Sequence, residues 1–265
     1  MDLSPDYKNL SHIGIATIQR REKSLVESLD SLVGQSSKIT VYLNDYTGLK
    51  EWMRQPTYED VEFVLGADAL GDLGDAAKFY SYPKTTRKYY LSADDDIIYP
   101  SDYVESMCQW VDIFDGKVVL SAHGRIFPEK ETPIVGVLAH PENKIRLLHF
   151  ASFVGTPCRV HMGGTGVMCI DKQESDFCLP LNNLLHKERN MADVWISIEC
   201  LQTHIPIYVI SHPMEWLRPT RYEINEDSIY ESCRHRDTHR DVFNREMKIR
   251  SISFYEGWAE WADEQ

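Results

Sequence analysis

Three consecutive aspartates, Asp94, Asp95 and Asp96, are the residues of this sequence whose type and spacing point most directly to chemistry. They follow a short apolar run at 87–93 and precede Ile97-Ile-Tyr-Pro100. Because side chains alternate faces along a strand, Asp94 and Asp96 are expected to point the same way and Asp95 to the other face or into the turn. Carboxylates at a strand end can hold Mg²⁺ or Mn²⁺, which prefer oxygen ligands and keep positions open for phosphate. The triplet therefore predicts a site for a metal and a nucleotide diphosphate, with an acidic surface loop as the alternative.

The elements that must position these acids follow from the spacing of apolar residues. Apolar runs predict strands at 12–18, 38–43, 61–65 and 87–93, and a helical repeat predicts a helix at 21–33 that stops at Gly34. A glycine-punctuated turn at 71–80 is expected to open into another helix. Strands that alternate with helices predict an α/β protein with a mostly parallel sheet and helices on both faces. Ligands bind such sheets beyond the carboxyl ends of the strands, where Asn44, Asp45 and Asp72 would gather with the acid triplet.

The second half of the chain contributes further candidate residues. A helix is predicted at 101–114 and a strand at 117–121, whereas 122–157 has too little periodicity to assign. Glycines at 163, 164 and 166 precede an apolar strand, and they either allow close backbone approach to a substrate or form a tight turn with positive φ. A helix predicted at 191–202 carries Asp193 in or near its first turn, where an aspartate is usually a cap or a dipole partner. A strand at 205–210 leads into His212, for which hydrogen bonding at a strand end is the simplest role.

Composition sets the protein class. The 265 residues are 43% hydrophobic, enough for one domain with a C-terminal appendage. We expect a domain at 1–219 and an extension at 220–265 that packs back on the domain or contacts an acceptor or a second copy. The sequence offers no apolar stretch of membrane-spanning length and no signal-peptide core near Met1, so a cytoplasmic protein of a bacterium or a virus-infected host cell is expected. Its six cysteines form no close pair, and they are expected to be free thiols.

The net charge of −13 disfavours non-specific binding to nucleic acid or anionic membranes. The segment 234–250 is nevertheless locally basic. It is either a solvated helix face or a patch for an anionic ligand.

By their order and spacing along the chain, four motifs together resemble those of a glycosyltransferase of the GT-A fold, close to the family 2 type of bacteria and viruses. The resemblance covers about residues 12–215, and the acid triplet with its Ile-Ile-Tyr-Pro tail is its most specific part. The motifs are Ile13-Gly-Ile-Ala-Thr, Gly71-Asp-Leu-Gly-Asp-Ala-Ala-Lys-Phe, Tyr90-Leu-Ser-Ala-Asp-Asp-Asp-Ile-Ile-Tyr-Pro100 and Ala192-Asp-Val-Trp195.

The resemblance implies a Rossmann-like, mostly parallel sheet that binds a nucleotide-diphosphate sugar, most often a UDP-sugar, with Mn²⁺ or Mg²⁺ joining its phosphates to the protein. It implies that Asp96 and Asp94 bind the metal, with Asp94 facing the ribose or the metal, and that a late histidine, best represented by His212, joins them. The nucleotide would be contacted by Asp45, Asp72, Lys78, Asp94 and Asp95.

The resemblance also implies inversion at the anomeric carbon, with Asp193 as the base that takes the proton of the acceptor hydroxyl. Ala192 stands where the family usually has an acidic residue. The acceptor expected is a glycan or glycolipid, and a hydroxylated base in viral DNA is the alternative. A metal-dependent nucleotidyltransferase and a non-catalytic nucleotide-sugar-binding protein are two further alternatives. The first of these usually has a basic glycine-rich loop after its first strand, whereas Thr17-Ile-Gln-Arg-Arg21 has no glycine.

Overall fold

A computed structural model describes residues 5–127, 146–173 and 189–222, together with 242, 245, 246, 248 and 249. Most of the expected extension at 220–265, most of the basic segment at 234–250 and two of the six cysteines therefore lie outside the described residues. The other four, Cys108, Cys158, Cys169 and Cys200, are free thiols, as expected.

The described residues form thirteen strands and four α-helices. The strands are β1 (Ser11–Thr17), β2 (Ile39–Leu43), β3 (Val61–Leu65), β4 (Tyr89–Ala93), β5 (Ile97–Ile98), β6 (Val119–Ser121), β7 (Gly124–Ile126), β8 (Arg146–Leu148), β9 (Cys158–Val160), β10 (Met162–Gly163), β11 (Val167–Asp171), β12 (Ile207–Val209) and β13 (Arg218–Pro219). The helices are α1 (Tyr7–Leu10), α2 (Glu22–Leu32), α3 (Tyr103–Ile113) and α4 (Ala192–Gln202). Short 3-10 helices include Gln19–Arg21 and Gly74–Phe79.

Eight strands form one mixed sheet in the order β3-β2-β1-β4-β11-β6-β12-β9. Strands β1 to β4 pair in parallel, and β12 is parallel to β6, whereas β11 is antiparallel to both β4 and β6, and β9 is antiparallel to β12. Six of the eight strands thus run in one direction. The expectation of an α/β protein with a mostly parallel sheet is confirmed.

Helices cover both faces of this sheet. Side chains of α2 and α3 pack with Leu91 of β4 in one apolar core, and side chains of α4 pack with Tyr90 of β4 in another. Adjacent residues of one strand therefore serve opposite faces, as the alternation of a strand requires. Helix α2 ends at Leu32, and Gly34 follows with φ of +87°, the left-handed conformation that glycine adopts without steric cost.

Two small antiparallel sheets complete the described fold: β10-β7-β8 and β13-β5. Strands β7, β8 and β9 come from segments in which the sequence predicted no element, and the turn at 71–80 forms a 3-10 helix. In the described part of the chain, no helix combines the length and the apolar composition that crossing a bilayer requires.

Candidate functional site

The acid triplet lies at the carboxyl end of β4, between β1 and β11. The Asp94 N–H lies 3.2 Å from the Gly166 carbonyl, to which the Tyr99 hydroxyl also donates, at 2.7 Å. A Cβ at Gly166 would lie 1.8 Å from Asp94 Oδ2, so only a glycine fits against this carboxylate. None of the three glycines at 163, 164 and 166 has a positive φ. The alternative of a turn that needs positive φ is therefore wrong, although Thr165 and Gly166 do form a turn, and at Gly166 the absent side chain makes room for Asp94.

Asp95 and Asp96 share one cation, the guanidinium of Arg21. Arg21 Nη1 lies 2.8 Å from Asp95 Oδ1 and 3.0 Å from Asp96 Oδ2. The Thr17 hydroxyl donates to Asp95 Oδ2 at 2.6 Å. Asp95 is buried, and desolvation raises its pKa, an effect that Arg21 and Thr17 oppose. Asp95 is thus buried. Asp96 shares Arg21 with it, so the alternation expected for the triplet does not describe these contacts, because β4 ends before the triplet begins.

Lys78 forms a salt bridge with the third member of the triplet, Asp94. Lys78 is buried, which by itself lowers the pKa of an amine, but the charges of Asp94, Asp75 and Asp193 outweigh burial and raise it. The backbone that carries Lys78 lies against β1 at Gly14, where a Cβ would be 2.0 Å from the Lys78 carbonyl oxygen. Gly14 therefore allows the 3-10 helix to bring an ammonium group to the acids.

Asp193 joins this group from α4, which packs on the same face of the sheet as the 3-10 helix that carries Lys78. Its Oδ1 accepts hydrogen bonds from the Thr165 backbone N–H at 2.9 Å and from the Thr165 hydroxyl at 2.5 Å. Burial raises the pKa of Asp193, but the Thr165 hydrogen bonds and the Lys78 charge outweigh it, so the pKa lies below its ordinary value. Within the described residues, Oδ2 of Asp193 accepts no hydrogen bond. The carboxylate is thus ionised at neutral pH and fixed in orientation through one oxygen.

The capping role considered for Asp193 belongs to Asp75 instead. Asp75 Oδ2 accepts from the Ala192 N–H at 2.9 Å and so caps α4 from a distant part of the chain. Burial raises the pKa of Asp75 to about 6. Asp75 is therefore partly protonated near pH 6 and lies close to Lys78 and Asp193.

The remaining predicted residues occupy the periphery. Asp45 is exposed and accepts from the Gln19 N–H, at 2.5 Å. Asp72 is exposed and pairs with Arg189 at 2.8 Å. Both ring nitrogens of the buried His212 lie 3.2 Å from backbone carbonyl oxygens, those of Ala122 and Pro213. This arrangement is the strand-end hydrogen bonding considered for His212, and a ring nitrogen could bind a metal only after the ring turned.

Four residues of the site were not identified from the sequence: Arg21, Thr165, His123 and Arg125. Arg21 was assigned only to a helix. A basic residue four positions after a strand end could nevertheless have been recognised as a candidate partner for the acids at that edge of the sheet. His123 and Arg125 lie in the segment that could not be assigned. Besides burial, the charge of Arg125 lowers the pKa of His123 and the charge of Asp193 raises it. Arg125 also contributes to the lowered pKa of Asp193, which places the three side chains in one electrostatic group.

The carboxylates suit a cation that takes few protein ligands. In the described part of the chain, no three His, Cys, Asp or Glu side chains converge on a common point. Mg²⁺ in nucleotide sites is usually held by one or two carboxylates, with substrate phosphates and water completing the octahedron. Asp94 contacts Lys78 and Asp96 contacts Arg21, and both carboxylates are partly exposed. The donor set fits Mn²⁺ or Mg²⁺ bound together with a diphosphate.

Comparison with known proteins identifies no family for this chain. No protein-family model matches the sequence, and no curated protein is significantly similar to it. The chain is an α/β protein with a mixed, mostly parallel sheet, and acids gather with buried Lys78 and half-buried Arg21 at the carboxyl end of β4.

Proposed function

We propose that this protein is a metal-dependent inverting glycosyltransferase of the GT-A type that moves a sugar from a nucleotide-diphosphate donor to a hydroxyl of a glycan-type acceptor. One observation carries the proposal. A triplet of aspartates at the end of a central strand lies in one electrostatic group with a fourth, ionised aspartate, Asp193, which belongs to α4. The two carboxylate sets match the two tasks of the reaction, which are binding a diphosphate and accepting a proton.

Asp193 is the proposed general base. The Thr165 hydrogen bonds fix its orientation through Oδ1, and Oδ2 is left to accept the proton of the attacking hydroxyl. Its lowered pKa keeps it ionised at neutral pH, although it also weakens the carboxylate as a base. Orientation of the acceptor hydroxyl is therefore expected to supply most of its catalytic contribution.

Asp94 and Asp96 are the proposed metal ligands. When bound, the metal neutralises the charge that grows on the departing diphosphate. Lys78 and Arg21 hold these carboxylates in place before the donor arrives, since each already contacts one carboxylate oxygen. Buried Asp95 positions Arg21 rather than touching the donor, and exposed Asp45 and Asp72 are proposed to lie beside the nucleotide.

A binding and turnover experiment tests the proposal. Thermal shift with a panel of nucleotide sugars, with and without Mn²⁺, should identify a donor, because a ligand at a hundred times its dissociation constant stabilises a fold by about 2.7 kcal/mol. The same donor should then be hydrolysed slowly to free sugar in the presence of Mn²⁺ and of the wild-type protein.

Asp60→Ala provides the matched control, because Asp60 is exposed and lies just before β3, at the opposite end of the sheet. It should bind and hydrolyse the donor like the wild type. Binding without any hydrolysis or transfer would indicate a non-catalytic binding protein. Activity that requires pyrophosphate would indicate a nucleotidyltransferase.

A further inference from the structure

Arg125 is a half-buried cation whose charge no described carboxylate neutralises. Among the described residues, its side chain makes one hydrogen bond, to the sulfur of Met162 at 3.6 Å, and sulfur is a weak acceptor. Arg125 nevertheless lies near Asp193, close enough for its charge to lower the pKa of that carboxylate, without forming a salt bridge to it. A guanidinium kept partly out of water with no anionic partner is costly unless a ligand supplies the anion.

His123 is a second polar side chain beside it with an unused group. Its Nδ1 is buried and has no hydrogen-bond partner within the part of the chain that the structure describes. Burial lowers the pKa of His123 to about 4, so the ring is neutral at physiological pH and can both donate and accept. The ring packs over the glycine loop, where a Cβ at Gly164 would lie 3.0 Å from the His123 Cβ.

The fold turns these two side chains to the same side. Gly124 lies between them and packs against the main sheet, since a Cβ there would be 2.7 Å from Val209. Alternation along the strand then directs His123 and Arg125 to the opposite side. Strand β10, which neighbours β7, packs against α4, the helix that carries Asp193.

We propose that Arg125 and His123 form a subsite for an anionic group, a carboxylate or a phosphate, of the acceptor. Arg125 supplies a fixed planar set of N–H donors that matches either anion, and His123 supplies a neutral hydrogen-bonding group. The subsite lies on the Asp193 side of the acid group, away from β1, β2 and β3, where a GT-A enzyme would bind its nucleotide. This inference rests on the proposed function and narrows its acceptor to an acidic glycan.

The test separates the subsite from the donor site. Titration calorimetry without nucleotide or metal compares glucuronate and glucose 6-phosphate with glucose. The acidic sugars should bind at least about tenfold more tightly, as expected for a charge-assisted pair. Arg125→Gln should remove the preference, and Arg125→Lys should keep part of it. Arg146→Gln is the matched control, since Arg146 is exposed on neighbouring β8, and it should leave the preference intact. Melting temperatures establish that each variant is folded.

A second titration, with UDP and Mn²⁺, identifies which substrate uses the subsite. Arg125→Gln should bind UDP within about twofold of the wild type. A tenfold loss would assign Arg125 to the donor diphosphate and overturn the acceptor assignment. Equal binding of acidic and neutral sugars, or binding of none, would overturn the subsite itself. If wild-type protein binds acidic sugars but no nucleotide, the subsite stands and the glycosyltransferase proposal fails.

Discussion

The three adjacent aspartates differ in their contacts and in their exposure, and these differences assign them different roles. Asp94 pairs with buried Lys78, Asp96 with Arg21, and Asp95 with both Arg21 and Thr17. Asp95 is 3% exposed, whereas the side chain of Asp94 is 37% exposed and that of Asp96 is 22% exposed. Only the outer two are therefore open to a metal and a diphosphate.

Asp96→Ala should abolish metal-dependent donor binding, because it removes a hard oxygen ligand and leaves the diphosphate charge uncompensated. Asp94→Ala should be nearly as harmful. Calorimetry with UDP and Mn²⁺ measures both effects, with Asp60→Ala as the control. Undiminished affinity for donor and Mn²⁺ in Asp96→Ala would contradict the ligand assignment.

Asp193→Asn should leave donor affinity within a few-fold and reduce turnover by about 10²-fold or more, as expected when a general base is lost from an intact site. The asparagine keeps an oxygen for Thr165, so its orientation is conserved. Because Asp75 rather than Asp193 caps α4, the melting temperature should change little. A fully active Asp193→Asn variant would remove the base from the mechanism.

At the scale of elements, the main sheet could be predicted because its strands are apolar runs and its helices have a clear period. Helix α2 was expected at 21–33 and lies at Glu22–Leu32, and β3 lies at Val61–Leu65 as expected. The three-residue strands β7, β8 and β9 are too short to show an alternation, and so they were missed.

The contacts within the site could not be predicted, because they join residues far apart in sequence. Asp75 caps Ala192 across 117 positions, and Arg21 meets Asp95 across 74. Neither pair leaves a local pattern, since a cap is recognised from sequence only when it comes from the residues next to the helix. The roles of Gly14 and Gly166 could not be predicted for the same reason, because each depends on a distant residue that lies where a Cβ would be.

Gly166→Ala should disturb the site through packing alone. A Cβ there would overlap Asp94 Oδ2, so Asp94 or the loop must shift. We expect a loss of about 1–3 kcal/mol in the free energy of unfolding, typical of overpacking, together with weaker metal-dependent donor binding.

Gly48→Ala is the control, because a Cβ at Gly48 would have no atom within 4 Å. Denaturant unfolding and UDP titration of the two variants give the comparison. If Gly166→Ala behaves like Gly48→Ala in both measurements, the close approach to Asp94 has no consequence.

At the scale of the whole molecule, buried histidines should make stability depend on acid. Burial, with nearby positive charges as a smaller effect, lowers the pKa of His12 to about 3 and that of His161 to about 4. Both rings are 1% exposed. In the unfolded chain their pKa is about 6.5, so below that pH the unfolded state binds protons that the folded state does not. Stability is therefore fully present above pH 6.5 and is lost as pH falls toward 4, by at most about 1.4 kcal/mol per histidine and pH unit.

Asp75 acts in the opposite direction over part of this range. Its pKa is raised to about 6, so lowering the pH through 6 toward 4 relieves the cost of burying its charge. Burial also lowers the pKa of His123 to about 4, so at least three histidines oppose Asp75, and we expect a lower melting temperature at pH 5 than at pH 7. His12→Gln should reduce the pH dependence of the unfolding free energy by the contribution of about one proton, because glutamine does not titrate. Glutamine can keep a hydrogen bond to the Thr40 hydroxyl, which lies 2.9 Å from His12 Nε2. Calorimetric scans of wild type and His12→Gln at both pH values measure this pH dependence. A wild-type melting temperature that stays constant or rises at pH 5 would show that these histidines are accessible to protons in the folded protein.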